Sequence, residues 1–274
     1  MNLRTAPIGV FDSGVGGLSV LHHLRQQLPH EHLMYVADSG FAPYGERSAE
    51  WIAQRSRMIA DFLISEGAKA LVIACNTATA AGAAAVRAAC SLPVIGMEPA
   101  VKPAVAATRS GVIGILATTG TLNSARFAAL LDHYAGDVEV LTQPCTGWVD
   151  AVERGELDGP ATEALVRHHV GPLLHAGADV LVLGCTHYPF LRPVIERVAT
   201  SMGKPQVKVV DTGSAVARQC ARRLAEADLL NPLTQPGQDT LWSSGDLAQA
   251  SRAFSALWPG DAVVQVLPAL PFPD

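Results

Sequence analysis

Charge is scarce in this 274-residue chain: Asp, Glu, Lys and Arg make up 16% of it and the formal net charge is −5. Binding to a phosphate backbone needs clustered Lys and Arg, so neither DNA nor RNA is an expected partner. Long apolar runs are also missing. None approaches the roughly 18 residues of a membrane span, and the start of the chain lacks the basic region and apolar core of a secretory signal. Cysteine is sparse as well, with five in the chain and no CxxC pair. That odd number fits neither a secreted disulfide framework nor a zinc site, and a reducing cytoplasm is the expected compartment. Lysine occurs only at Lys69, Lys102, Lys204 and Lys208, never beside the motifs described below, so no pyridoxal-type site is expected.

What is abundant is apolar sequence, 49% of residues, enough for a globular protein of about two domains. Short apolar runs alternate with longer amphipathic or alanine-rich segments, the pattern of βαβ units around parallel sheets. Strands are expected near Ile8–Phe11, Leu33–Ala37, Ala70–Ala74, Val94–Gly96, Val112–Leu116, Val138–Leu141, Val180–Gly184 and Val207–Val210. Helices are expected over Gly17–Gln27, Glu50–Glu66, Thr77–Ala89, Leu122–Tyr134, Thr162–Ala176, Leu191–Met202 and Ser214–Ala225.

An internal repeat organises this series. The segment from Gly67 to Thr77, GAKALVIACNT, echoes that from Gly177 to His187, GADVLVLGCTH. Each copy is a buried strand that ends in cysteine, Cys75 in one and Cys185 in the other. A weaker echo sets Ile8–Ser13 against Ile113–Thr118. Any two buried strands share Val, Ile and Leu, but the common Gly-Ala lead-in and the cysteine at the same exit favour duplication. The expected fold is α/β: two pseudo-symmetric domains, each a mostly parallel sheet flanked by helices, with the active site in the cleft between them.

Ligands of open parallel sheets bind beyond the carboxyl ends of the strands, and the polar residues collect there. Asp12 and Ser13 follow the first strand, Cys75, Asn76 and Thr77 the third, Thr118 and Thr121 the fifth, and Cys185, Thr186 and His187 the last repeat strand. A thiol at a strand exit and helix entrance feels the positive end of the helix dipole, which favours the thiolate. Asp12 is placed to serve one thiol and His187 the other. Two acid–base groups on opposite faces of one carbon are what inversion of a stereocentre requires. The carbanion then needs preorganised donors, for which Ser13, Asn76, Thr77, Thr121 and Thr186 are suited.

Each feature also has a plainer explanation. Cysteine is a common core residue, and Cys90, Cys145 and Cys220 are read as structural; Cys75 and Cys185 differ in being followed by polar residues. Ser13, Thr77 and Thr186 can cap helices. The run from Asp12 to Gly17, DSGVGG, matches neither nucleotide-binding glycine pattern. His187 and Cys185 lack two further metal ligands. His22, His23, His168 and His169 fall in helical stretches and are read as surface residues. A cysteine hydrolase using Cys185 and His187, or a non-catalytic amino-acid-binding protein, are the other function classes; the first leaves Cys75 without a role.

Together these motifs resemble the glutamate racemase family of the aspartate/glutamate racemase superfamily over nearly the whole chain. They are FDSGVGGLSV from Phe11, Pro43-Tyr44-Gly45, ACNTA from Ala74, ATTGT from Ala117 and GCTHYP from Gly184. The resemblance implies cofactor-independent interconversion of L- and D-glutamate for peptidoglycan synthesis, with Cys75 acting on the D-enantiomer and Cys185 on the L-enantiomer. Asp12 and His187 match assisting residues. Asp12-Ser13, Tyr44-Gly45, Asn76-Thr77 and Thr186-His187 match substrate contacts. The resemblance implies an acidic residue within Trp148–Glu156, with Glu153 chosen and Asp150 the alternative. An aspartate racemase would share the cysteines and differ in the pocket. The resemblance also implies a first domain of residues 1–97 and 212–274 and a second of 98–211. The expected partner is the small-molecule substrate, with no metal and no cofactor, and a homodimer is compatible with the sequence. Some members carry an N-terminal extension linked to activation by a cell-wall precursor; with few residues before the first strand, that regulation is not expected here.

Overall fold

The structure, a computed structural model, describes residues 3–259 and 263–270. Its strands are β1 (Ile8–Asp12), β2 (Leu33–Ala37), β3 (Ala70–Ile73), β4 (Val94–Ile95), β5 (Val112–Ala117), β6 (Glu139–Pro144), β7 (Val180–Leu183), β8 (Lys208–Val210), β9 (Asp239–Ser243) and β10 (Val264–Val266). They pair, always in parallel, into a six-stranded sheet of order β10-β9-β2-β1-β3-β4 and a four-stranded sheet of order β6-β5-β7-β8. Parallel neighbours need crossover connections, which place helices on both faces; β3 and β7 are accordingly apolar and buried along their whole length.

The two sheets repeat one plan. The order β2-β1-β3-β4 recurs as β6-β5-β7-β8, and the registers correspond: Phe11 lies opposite Ile73, and Leu116 opposite Leu183. The strands of the internal repeat, β3 and β7, therefore occupy equivalent places beside the central strands β1 and β5. The expected α/β architecture of two parallel sheets flanked by helices is the one observed.

Several elements depart from the sequence expectation. The six-stranded sheet is extended by β9 and β10 with the helix Leu247–Leu257 between them, none of which was anticipated. Their strands are only five and three residues long, and β9 follows a stretch rich in Pro and Gly. The helix expected over Leu122–Tyr134 is two helices, Thr119–Leu122 and Ala125–Tyr134, because Ser124 caps the second by accepting from Phe127 N at 3.1 Å. Helices at Val101–Ala107 and Trp148–Glu153 were not anticipated either. His169 is buried, not on the surface: the Trp148 indole donates to its Nδ1 at 3.1 Å. Among the described residues no helix is long and apolar enough to cross a membrane.

Candidate active site

The carboxyl ends of β1, β3, β5 and β7 converge where the two sheets face each other. Thr186, after β7, donates to Asp12 Oδ2, at the end of β1, at 3.1 Å. Ser19 Oγ donates to the Thr186 carbonyl at 2.8 Å. These links stitch one repeat to the other across the cleft and bring the two cysteine exits to the same place.

Cys75 leaves β3 in an extended conformation and is the N-cap of the helix Asn76–Ala89; its sulfur accepts from Ala78 N at 3.4 Å. Its thiol meets Ser13 Oγ at 3.6 Å. Ser13 in turn donates to Asp12 Oδ1 through its N–H at 2.7 Å and its hydroxyl at 3.2 Å, and Gly17 N donates to Oδ2 at 2.6 Å. Asp12 is fully buried.

Cys185 has different surroundings. It lies in a turn, not at a helix entrance: Pro189 follows, a short 3-10 turn spans Tyr188–Leu191, and the helix proper begins at Arg192. Among the described residues no helical N–H donates to its sulfur, whose partner is His187 Nδ1 at 3.7 Å. The other ring nitrogen, Nε2, lies 2.7 Å from Glu153 Oε1. Glu153 ends the helix Trp148–Glu153 and also accepts from Val15 N at 2.7 Å and from Ser39 Oγ at 2.9 Å. Of the two acidic residues considered, Glu153 meets His187, whereas Asp150 lines the neighbouring cavities.

The glycine run after Asp12 exists to let this pairing form. A Cβ on Gly14 would lie 1.9 Å from Glu153 Oε1, and one on Gly16 would lie 2.2 Å from His187 Nδ1. Any larger residue would push the loop off the histidine and the carboxylate. This role accounts for a motif that no nucleotide pattern explains.

A polar cluster follows the exits of β3 and β5. Thr77, Thr118 and Thr121 share their hydroxyls at 3.0–3.2 Å. Both polar atoms of the Asn76 amide are buried with no hydrogen-bond partner. A buried unpaired amide costs about 1–3 kcal/mol, so its retention points to a ligand that completes it. The Tyr44 hydroxyl is committed to Asp38 Oδ2 at 2.5 Å, and the Tyr44 carbonyl accepts from Arg47 N at 3.0 Å. Gly45 packs against the opposite sheet, where a Cβ would meet Thr118 at 3.2 Å. Asp38, Ser39 and Arg55, all close to this region, carried no sequence motif and were missed.

Burial, then the neighbouring Asp12 charge, push the Cys75 thiol well above its usual range, against the hydrogen bonds to Ala78 N and Ser13. The dipole expectation of a lowered value is thus overturned: one weak N–H···S contact does not offset full desolvation beside a carboxylate. Burial also raises the Asp12 carboxyl, with His187 opposing. For His187, burial acts downward, but the hydrogen bonds and charges of Cys185 and Glu153 hold it well above the ordinary histidine value. Among the described residues no three His, Cys, Asp or Glu side chains are grouped to hold a metal ion.

Residues 8–220 match the family model described as Asp/Glu/Hydantoin racemase. The chain is 57% identical over 268 residues to a glutamate racemase of Ectopseudomonas mendocina, covering 97% of this chain and 100% of that one. The crystal structure of Francisella tularensis glutamate racemase in complex with D-glutamate superposes with a TM-score of 0.81 at 28% identity, covering 96% of this chain and 98% of that one. Escherichia coli glutamate racemase in complex with L-glutamate and an activator gives 0.83 at 28% identity, over 95% and 97%. With its repeat, its paired cysteine exits and this likeness along nearly its whole length, the chain belongs to the Asp/Glu/hydantoin racemase family of isomerases.

Proposed function

We propose that the chain interconverts L- and D-glutamate by a two-base mechanism, with Cys75 and Cys185 exchanging protons with opposite faces of the α-carbon. The observation that carries this reading is the placement of two buried thiols at equivalent strand exits, Cys75 beside Ser13 and the Asp12 carboxyl and Cys185 beside His187, with the unpaired Asn76 amide following Cys75 in the chain. Starting from L-glutamate, the Cys185 sulfur takes the α-proton and the Cys75 thiol gives its proton to the other face. The product is D-glutamate, with the sulfur anion now at Cys75 and the thiol at Cys185. The reverse reaction runs from that state, and the proton count is unchanged.

The resting electrostatics favour the first direction. Cys75, whose thiol is pushed up by burial, rests as the proton donor. A His187 that stays protonated between Cys185 and Glu153 supplies the counter-charge for a sulfur anion at Cys185. For the D-enantiomer, Cys75 must become the base, and Asp12, whose own carboxyl is raised, is the group beside it suited to accept the displaced proton. Asn76, Thr77, Thr118, Thr121, Ser13 and Thr186 with the Tyr44-Gly45 backbone hold the substrate carboxylates as neutral donors. The reading uses no cofactor, since protons pass only among the substrate carbon, the two sulfurs and their partners.

The proposed division into residues 1–97 with 212–274 and 98–211 is supported by strand placement: all described strands of the six-stranded sheet lie in the first set, and all four of the other in the second. Residues 1–2, 260–262 and 271–274 of that division lie outside the described ones. In the proposed role the enzyme works in the cytoplasm and supplies D-glutamate for peptidoglycan synthesis. The test is circular dichroism of each pure enantiomer with purified protein, and aspartate as control. Loss of optical activity from both glutamates, with aspartate little changed and added pyridoxal phosphate without effect, is the expected result.

A further inference from the structure

The loop after β2 touches both halves of the site, and its contact with Glu153 is not part of the cysteine chemistry described above. Glu153 has two oxygens with separate duties. Oε1 accepts from Val15 N and faces His187 Nε2, both at 2.7 Å, while Oε2 accepts from Ser39 Oγ at 2.9 Å. Beyond Glu153 lies a cavity of about 350 Å³ bordered by Ser39, Arg154 and residues of the helix Leu247–Leu257. A carboxylate with one oxygen released beside such a space is free to rotate about its terminal torsion, which is broad for Glu.

Ser39 itself is held firmly. Its neighbour Asp38 is fully buried and takes two hydrogen bonds from Arg55, at 2.8 and 2.6 Å, as well as that from Tyr44. The Arg55 guanidinium lies 4.0 Å from the Phe41 ring centroid. Asp38, Phe41 and Tyr44 thus wrap one arginine, and the loop between them has little freedom. On its other side, Gly40 N donates to Ser244 Oγ at 3.1 Å, and a Cβ on Gly245 would lie 3.2 Å from that of Ser39. The hydroxyl is presented to Glu153 by a rigid support.

Resting on the two-thiol reading, we propose that Ser39 is a positioning residue for the Cys185 half of the reaction: by holding Glu153 Oε2, it keeps Oε1 on His187 and so keeps His187 on Cys185. Among the described residues the Cys75 half, whose partners are Ser13 and Asp12, takes no hydrogen bond from the Ser39 side chain; the loop meets it through Asp38 N, which donates to the Asp12 carbonyl at 3.0 Å. The effect of Ser39 is therefore one-sided.

The equilibrium constant of racemisation is unity, so kcat/KM is the same in both directions and cannot reveal a one-sided defect. Isotope effects can. The α-deuteron of L-glutamate is removed by Cys185 and that of D-glutamate by Cys75, so slowing the Cys185 step makes removal from the L-enantiomer more rate-limiting. In Ser39→Ala, kcat falls about tenfold, the scale of one hydrogen bond to a charged group, with KM within about twofold. The kinetic isotope effect rises with α-deuterated L-glutamate and does not rise with α-deuterated D-glutamate. Ser39→Thr, which keeps the hydroxyl, restores the parent behaviour. A merely structural role would leave both isotope effects at parent values, and that result, a rise on the D side, or a threonine variant as impaired as the alanine one overturns the proposal. Cys75→Ser and Cys185→Ser separate the two failures. If both lose racemisation while Ser39→Ala keeps parent isotope effects, only the role of Ser39 is lost; if either cysteine variant keeps the parent rate, the two-thiol reading itself is wrong.

Discussion

Cys75 and Cys185 hold equivalent places in the two copies of the repeat, yet their surroundings differ in kind. Cys75 caps a helix and faces a serine and a buried carboxylate; Cys185 sits in a turn and faces an imidazole backed by a second carboxylate. The first setting disfavours a sulfur anion, through burial and the charge of Asp12. The second holds a histidine well above its ordinary value, through the sulfur and Glu153. Strand order fixes where the two sulfurs are, and the loops that follow give each of them different partners. In the proposed two-base reaction, that difference in surroundings suits one thiol acting as acid while the other acts as base.

Removing either sulfur breaks the comparison altogether. Cys75→Ser and Cys185→Ser each lower racemisation by about three orders of magnitude or more, because a hydroxyl is a far poorer base than a thiolate; circular dichroism with either enantiomer reads the loss. Glu153→Gln weakens only the Cys185 side. It lowers kcat by about 10²-fold and moves the alkaline limb of the pH–rate profile to lower pH, since the imidazolium loses its counter-charge. Asp150→Asn stays near the parent rate, which separates the two acidic residues.

The same pairing is visible in stability. A histidine raised in the folded state contributes fully below its ordinary value of 6.5, and the contribution is lost as pH rises through the raised folded value. Thermal melts of the parent protein therefore lose about 1 kcal/mol, or roughly 2–4 °C in Tm, at alkaline pH. Glu153→Gln flattens that slope, while Cys75→Ser leaves it in place. The smallest structural effect comes from the polar cluster after β3 and β5. Asn76→Ala raises KM for both enantiomers about tenfold but leaves Tm unchanged or slightly higher, because it removes an amide that has no partner without ligand.

The parts of this design that repeat along the chain were legible in the sequence. The β3 and β7 segments could be aligned by their Gly-Ala lead-ins, and the cysteines stood out because polar residues follow them where a core would continue. Glu153 was reachable only through family resemblance, since 138 positions separate it from Val15 and no spacing rule joins them. The glycines at 14 and 16 looked like a failed phosphate loop because their function is to clear side chains from a distant segment. Ser39, Asp38 and Arg55 gave no signal at all; their meaning arises when a loop closes around one arginine. The sign of the Cys75 shift was misjudged for a related reason: the helix entrance is local and visible, whereas desolvation by the cluster that packs around it, Phe11, Val36 and Tyr44 among its members, is not.

Heavy water gives the most direct test of two sulfurs working from opposite faces. With pure L-glutamate in D2O, sampled early in the reaction, the account predicts that the D-glutamate formed carries deuterium at the α-carbon while the remaining L-glutamate does not. The same experiment from D-glutamate gives the mirror result. D-glutamate formed with the original protium retained would mean that one group removes and returns the same proton, and that would contradict the account.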